Sequence, residues 1–71
     1  MQVLVFKTNL TDPQHINRVR PYLDEHNHIQ RWNVDLHDCD NILRIETQLL
    51  QPKEVEEIIS QAGYYCEELE E

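Results

Sequence analysis

Apolar and polar positions along the chain predict six elements in turn. Val3-Leu4-Val5-Phe6 is a short β-prone run and predicts a strand. The loop Thr8-Asn9-Leu10-Thr11 follows, and Asp12-Pro13 then predicts a helix start. Asp is a favoured N-cap, and Pro suits the first helical position, whose N–H has no intrahelical partner anyway. Ile16, Val19 and Leu23 keep helical spacing, with Tyr22 beside them, and His26-Asn27-His28 ends the helix. Pro21 lies inside it, removing one backbone bond and predicting a bend in the last turns. Trp32, Val34 and Leu36 alternate with Arg31, Asn33 and Asp35, the pattern of a half-buried strand. After the polar turn Asp38-Cys39-Asp40-Asn41, Leu43 and Ile45 alternate with Arg44 and Glu46, so a strand returns from a hairpin. Pro52 opens a second helix, in which Val55, Ile58, Ile59 and Ala62 form one apolar stripe. Gly63 is placed to end it, and Tyr64-Tyr65-Cys66 predicts the start of a last short strand.

Strand, helix, strand, strand, helix, strand is the order of an α+β, ferredoxin-like βαββαβ domain. Its expected form is a four-stranded antiparallel sheet with two helices on one face. At 71 residues the chain has room for one domain, spanning 1–71. The apolar residues named above are its expected core, not a cofactor pocket.

Charge narrows the choice of partner. Fourteen acids against six Lys and Arg give a net charge of −8. That field repels phosphate backbones, so nucleic acid and anionic membrane are excluded as expected partners. A cationic protein surface or a metal ion is electrostatically easier. Glu67, Glu68, Glu70 and Glu71 form an acidic, solvated tail. No apolar run reaches the length of a membrane span, and no basic stretch with an apolar segment and a small-residue cleavage site opens the chain. A cytoplasmic protein is therefore expected. Cys39 and Cys66 lie far apart and in no motif, which suggests neither a disulfide scaffold nor a zinc knuckle. No enzyme is expected, because paired carboxylates, a nucleophile with its base and a phosphate loop are all missing from the pattern.

Phe6-Lys7-Thr8-Asn9-Leu10 before a helix, Pro21-Tyr22-Leu23, Trp32-Asn33-Val34-Asp35, Ile42-Leu43-Arg44-Ile45-Glu46 and Ala62-Gly63-Tyr64 follow one another in this chain. In that order and spacing they resemble the heavy-metal-associated, copper-chaperone-like family, from about Gln2 to Leu69. The resemblance implies a metal loop after the first strand, where the family carries Cys-x-x-Cys for Cu(I) or another soft metal. Those two positions fall on Asp12 and His15, Thr11 keeps the residue that often precedes the first Cys, and Leu10 replaces the usual Met. The same resemblance puts His37, Cys39 and Tyr64 at the loop's end of the sheet, and His26 and His28 at the other. Family strand order also sets Cys39 and Cys66 near opposite sheet edges, too far apart for a disulfide.

Two readings of Asp12 and His15 stand side by side. In one, Asp12 is an N-cap and His15 a solvated first-turn residue. In the other they are two metal ligands one helical turn apart. Carboxylate and imidazole suit a divalent ion such as zinc or nickel, where thiolates select Cu(I). Two ligands fall short of the three or four that a protein zinc site uses. The functions expected are accordingly a degenerate metal-binding relative of the chaperones, with Cu(I) transfer lost, or a metal-independent protein–protein interaction domain using the same loop face. For either, the resemblance implies a partner such as a metal-transporter domain.

Overall fold

β1 (Gln2–Thr8) is one of the two inner strands of the sheet. In this computed structural model, which describes residues 2–69, it is followed by α1 (Pro13–Asp24), β2 (Arg31–Asp35), β3 (Ile42–Thr47), α2 (Pro52–Gln61) and β4 (Cys66–Glu68). Glu70 and Glu71 of the acidic tail lie outside the described residues. The four strands take the order β2-β3-β1-β4, all neighbours antiparallel, so the ferredoxin-like expectation holds. β1 pairs with β3 from Gln2↔Thr47 to Phe6↔Leu43, and with β4 from Phe6↔Glu68 to Thr8↔Cys66. Among the described residues β2 pairs with β3 alone and is an edge.

Alternation decides which face is covered. Leu4 and Phe6 on β1, with Leu43 and Ile45 on β3, are buried against Val19 and Leu23 of α1 and Val55 and Ile59 of α2. Removing a side chain as large as Leu from water contributes roughly 1.5–3 kcal/mol, so this shared face provides the main drive for folding. Leu10 and Leu50, in the segments that lead into the two helices, close the ends of the core. Thr47, the one buried polar residue among those described, donates its hydroxyl hydrogen to the carbonyl of His28 and accepts from the N–H of Leu50 at 3.1 Å.

The last strand differs from the sequence expectation. The β-prone pair Tyr64-Tyr65 predicts a strand from Tyr64, yet β4 begins at Cys66. The reason is the end of α2. Gly63 adopts φ 92°, the left-handed conformation that glycine takes without strain. Its N–H bonds the carbonyl of Ser60 at 3.0 Å, and the N–H of Tyr64 returns to Ile59 at 3.1 Å. This pair of bonds is a Schellman cap, and it holds Tyr64 against the helix end and out of the sheet.

Candidate functional site

Three segments are stitched together at one end of the sheet. Thr8 N–H donates to the carbonyl of Asp40 at 3.0 Å, and Thr8 Oγ1 donates to that of Asn41 at 2.7 Å, tying the first loop to the hairpin turn. Asn9 N–H donates to the carbonyl of Tyr65 at 3.2 Å, and Asn9 Oδ1 accepts from Tyr65 N–H at 2.8 Å. The first loop, the β2–β3 turn and the segment after Gly63 thus converge, as expected from the resemblance. Leu10 is wholly buried and anchors the loop in the core.

Within this end, Asp12 caps α1. Its backbone is extended, at φ −153° and ψ 159°, and Oδ1 accepts from the N–H of Gln14 at 2.7 Å. Three residues on, the His15 ring folds back over the loop, where its Nδ1 accepts the N–H of Thr11 at 3.1 Å. Thr11 Oγ1 lies 3.3 Å from the same nitrogen. A backbone N–H can only donate, so Nδ1 carries no proton and the neutral ring holds it on Nε2. His15 also packs against Tyr64, with ring centroids 5.1 Å apart and planes inclined at 41°. The Tyr64 hydroxyl accepts from Arg18 at 3.1 Å. That bond above all, then the charge of Tyr64, raises the Arg18 pKa, with a smaller contribution from Asp12.

The remaining expected neighbours sit in the hairpin turn. His37 is exposed, and its N–H is held by Asp35 Oδ1 at 2.9 Å. Asp38 Oδ1 accepts from Asp40 N–H at 2.9 Å, and Asn41 closes the turn at φ 50°. Among the described residues, the only set of three or more His, Cys, Asp and Glu with donor atoms within 4.8 Å of one another is Asp38, Cys39 and Asp40, all exposed. Cys39 therefore converges with the carboxylates of its own turn, and no third donor joins Asp12 and His15 among the described residues. Cys39 and Cys66 are both free, and Cys66 is buried. Burial first, and then the negative charge of Glu56, pushes the Cys66 thiol up to about 12.

A metal at Asp12 and His15 fits this arrangement poorly. Binding through Nδ1 would displace the Thr11 N–H outright. Binding through Nε2 would move the ring proton to Nδ1, which could then no longer accept. Either route breaks the loop's own bond and leaves a site with two protein ligands, where zinc sites use three or four.

A second feature lies outside the residues expected from the sequence. Between α1 and the edge strand β2 runs an open groove of about 620 Å³, with Ile16, Arg20 and Leu23 on one side and Trp32 and Val34 on the other. Trp32 Nε1–H donates to Asp24 Oδ1 at 2.8 Å, and the Arg20 guanidinium lies 5.4 Å from the centroid of the Trp32 ring. The alternation around Trp32 gives the strand but carries no sign of the groove, which exists only once α1 lies across the sheet.

No protein-family model and no curated protein matches this sequence. Solved structures do match in fold. A copper-binding domain from HMA7, a P-type ATPase, superposes with a TM-score of 0.83 at 22% identity, over 99% of this chain and 96% of that one. The yeast copper transporter domain Ccc2a gives 0.82 at 17% identity, over 99% and 97%. The copper(I)-loaded first domain of the human copper chaperone for SOD1 gives 0.79 at 23% identity, over 93% and 89%. The structural neighbours are heavy-metal-associated, copper-chaperone domains, and at these identities the likeness is one of fold.

Proposed function

We propose that this chain is a docking domain on the copper-chaperone fold, which meets a partner protein through its loop end and does not carry Cu(I). The observation that supports this most is the bond from Thr11 N–H to Nδ1 of His15, beside the Asp12 cap. Where the family places two thiolates, this loop is held by hydrogen bonds within the protein. Both thiols of the chain lie elsewhere in the fold, one in the hairpin turn and one buried in β4. Divalent zinc or nickel at Asp12 and His15 has the same loop bond to break.

The partner class follows from the neighbours and the charge. One neighbouring structure is an Atx1–Cu(I)–Ccc2a complex, in which two metal-handling proteins assemble. A metal-transporter domain is the analogous partner here, met without shared copper. Asp12, Asp38 and Asp40 make the loop end acidic and call for a basic patch on that partner. The domain is a binding module, not an enzyme, and we assign it to the cytoplasm. Among the described residues no helix is long and apolar enough to cross a membrane.

The test is competition for copper. Reduced protein equilibrated with Cu(I) and an excess of a strong Cu(I) chelator should emerge copper-free from gel filtration. Retention of one Cu(I) per chain would overturn the proposal.

A further inference from the structure

His15 closes the loop end in one protonation state alone. Its Nδ1 accepts the N–H of Thr11 at 3.1 Å, which requires a free lone pair on that nitrogen. An imidazole ordinarily gains its second proton between about pH 5 and 8, and both of its nitrogens are then donors. Nδ1–H would face the Thr11 N–H, donor against donor, and the bond is lost. Thr11 Oγ1, 3.3 Å from Nδ1, can accept from the charged ring, but the backbone N–H is still left without its acceptor.

The charges around the ring pull both ways. Asp12 stands at the cap of the same turn, and Tyr64 lies against the ring with centroids 5.1 Å apart; each favours a cation there. Asp38 and Asp40 of the hairpin turn add negative charge at the same end of the sheet. Against them, His15 is the third residue of α1, where the helix N-terminus disfavours a cation. Arg18, bonded to the Tyr64 hydroxyl at 3.1 Å, is a second cation one turn along. Neither ion pair among the described residues, Lys7–Glu67 or Arg31–Glu46, includes His15, so no carboxylate holds the ring directly. The hydrogen bond to Thr11 is left to decide.

We infer that the loop end is a proton-operated switch: neutral His15 ties Thr11 to the first turn of α1, and protonated His15 releases it. The closed form is complete on the alkaline side of the His15 titration and is lost as pH falls through it. The consequence for docking rests on the function proposed above; the switch itself belongs to the free chain. Acid weakens docking through two effects of one sign. The loop loses the bond that shapes it, and the added positive charge subtracts from the acidic face offered to a basic partner.

The test is an NMR titration of the free, metal-free chain from about pH 8 to pH 5. The ring nitrogens report the charge of His15. The Thr11 amide proton reports the bond, through its shift and its temperature coefficient. In wild type that proton should move upfield and take on the temperature dependence of a water-exposed amide, with the same midpoint as the His15 ring. His26, whose Nδ1 accepts from His28 N–H at 3.2 Å, is followed by its own ring signals. His15→Asn sets an amide oxygen near the place of Nδ1 and cannot titrate, so it should hold the Thr11 signal level across the range. A Thr11 proton that stays in place while the His15 ring titrates would overturn the inference. So would a ring still neutral at the acid end, or the same Thr11 step in His15→Asn. The copper competition above, run at one neutral pH, tests the docking reading separately.

Discussion

The backbone N–H of Thr11 points at Nδ1 of His15 across 3.1 Å, and this contact determines what the imidazole can do. It sets the tautomer, closes the loop over the first turn of α1 and occupies one of the two ring nitrogens, so that a metal on the other would have to move the ring proton onto it. The same ring rests on Tyr64, which the Schellman cap of α2 holds in place. The two helices are thereby linked through one side chain at the loop end.

The tautomer is directly measurable. Long-range nitrogen–proton correlation on the neutral protein should show the His15 proton on Nε2. His15→Ala should lower stability by ~1 kcal/mol, the usual worth of one hydrogen bond with some packing. A proton on Nδ1, or a denaturant midpoint unmoved by the substitution, would mean that the bond does not hold the loop.

Asp12 acts on stability from the other side of the same turn. Its side chain satisfies one of the free N–H groups of α1, that of Gln14. Losing an N-cap costs ~1 kcal/mol, so Asp12→Ala should shift the melt followed by Trp32 emission to lower denaturant. This should occur in metal-free protein. An unchanged midpoint would remove Asp12 from the role of cap.

The two thiols should behave unequally. Cys39 is exposed and Cys66 is buried in β4, so a thiol reagent should label one site at once and the second only on unfolding. Cys66 also makes a pH prediction. Its folded pKa of about 12 lies above the ordinary 9.0, so the folded state keeps a proton that the unfolded chain loses. This contribution to stability is complete below pH 9 and declines as pH rises toward 12. Cys66→Ala should flatten the alkaline fall in stability relative to wild type. Parallel slopes for the two proteins would contradict the assignment.

Much of this fold is legible in the sequence because its signals are local. Pro13 and Pro52 stand at the first positions of α1 and α2, Gly63 stands after the cap of α2, and the alternations around Trp32 and Ile45 are β2 and β3. The start of β4 is not legible in the same way. Tyr64 and Tyr65 favour strand by propensity, but bonds from Ile59 and Asn9 hold them in the connection. At the site, the Asp12 cap follows from Asp before Pro. The His15 contact does not, because a ring reaching back four residues depends on a side-chain rotamer. The groove is least legible of all, since Arg20 and Trp32 meet only after α1 is laid across the sheet.

That loop geometry also makes a constructive prediction. If Asp12 and His15 stand where the copper-binding relatives carry their thiolates, then Asp12→Cys with His15→Cys should produce a soft-metal site in an otherwise unchanged domain. The surroundings that shape the loop stay in place: Leu10 is fully buried, Pro13 starts the helix, and Thr8 and Asn9 remain bonded to the neighbouring segments. The helix N-terminus lowers the thiol pKa and favours the thiolate that binds metal. The double variant loses both the Asp12 cap and the His15 bond, so its metal-free form should melt below wild type, by about 2 kcal/mol if the two losses add. The folded loop holds the two thiolates together where the unfolded chain does not, so Cu(I) should bind the folded form more tightly and raise the melting temperature by mass action. One Cu(I) per chain should survive chelator competition, with wild type as the silent control. A folded double variant that held copper no better than wild type would show that this loop is shaped for some other contact, and the correspondence of Asp12 and His15 with the family's cysteines would have to be given up.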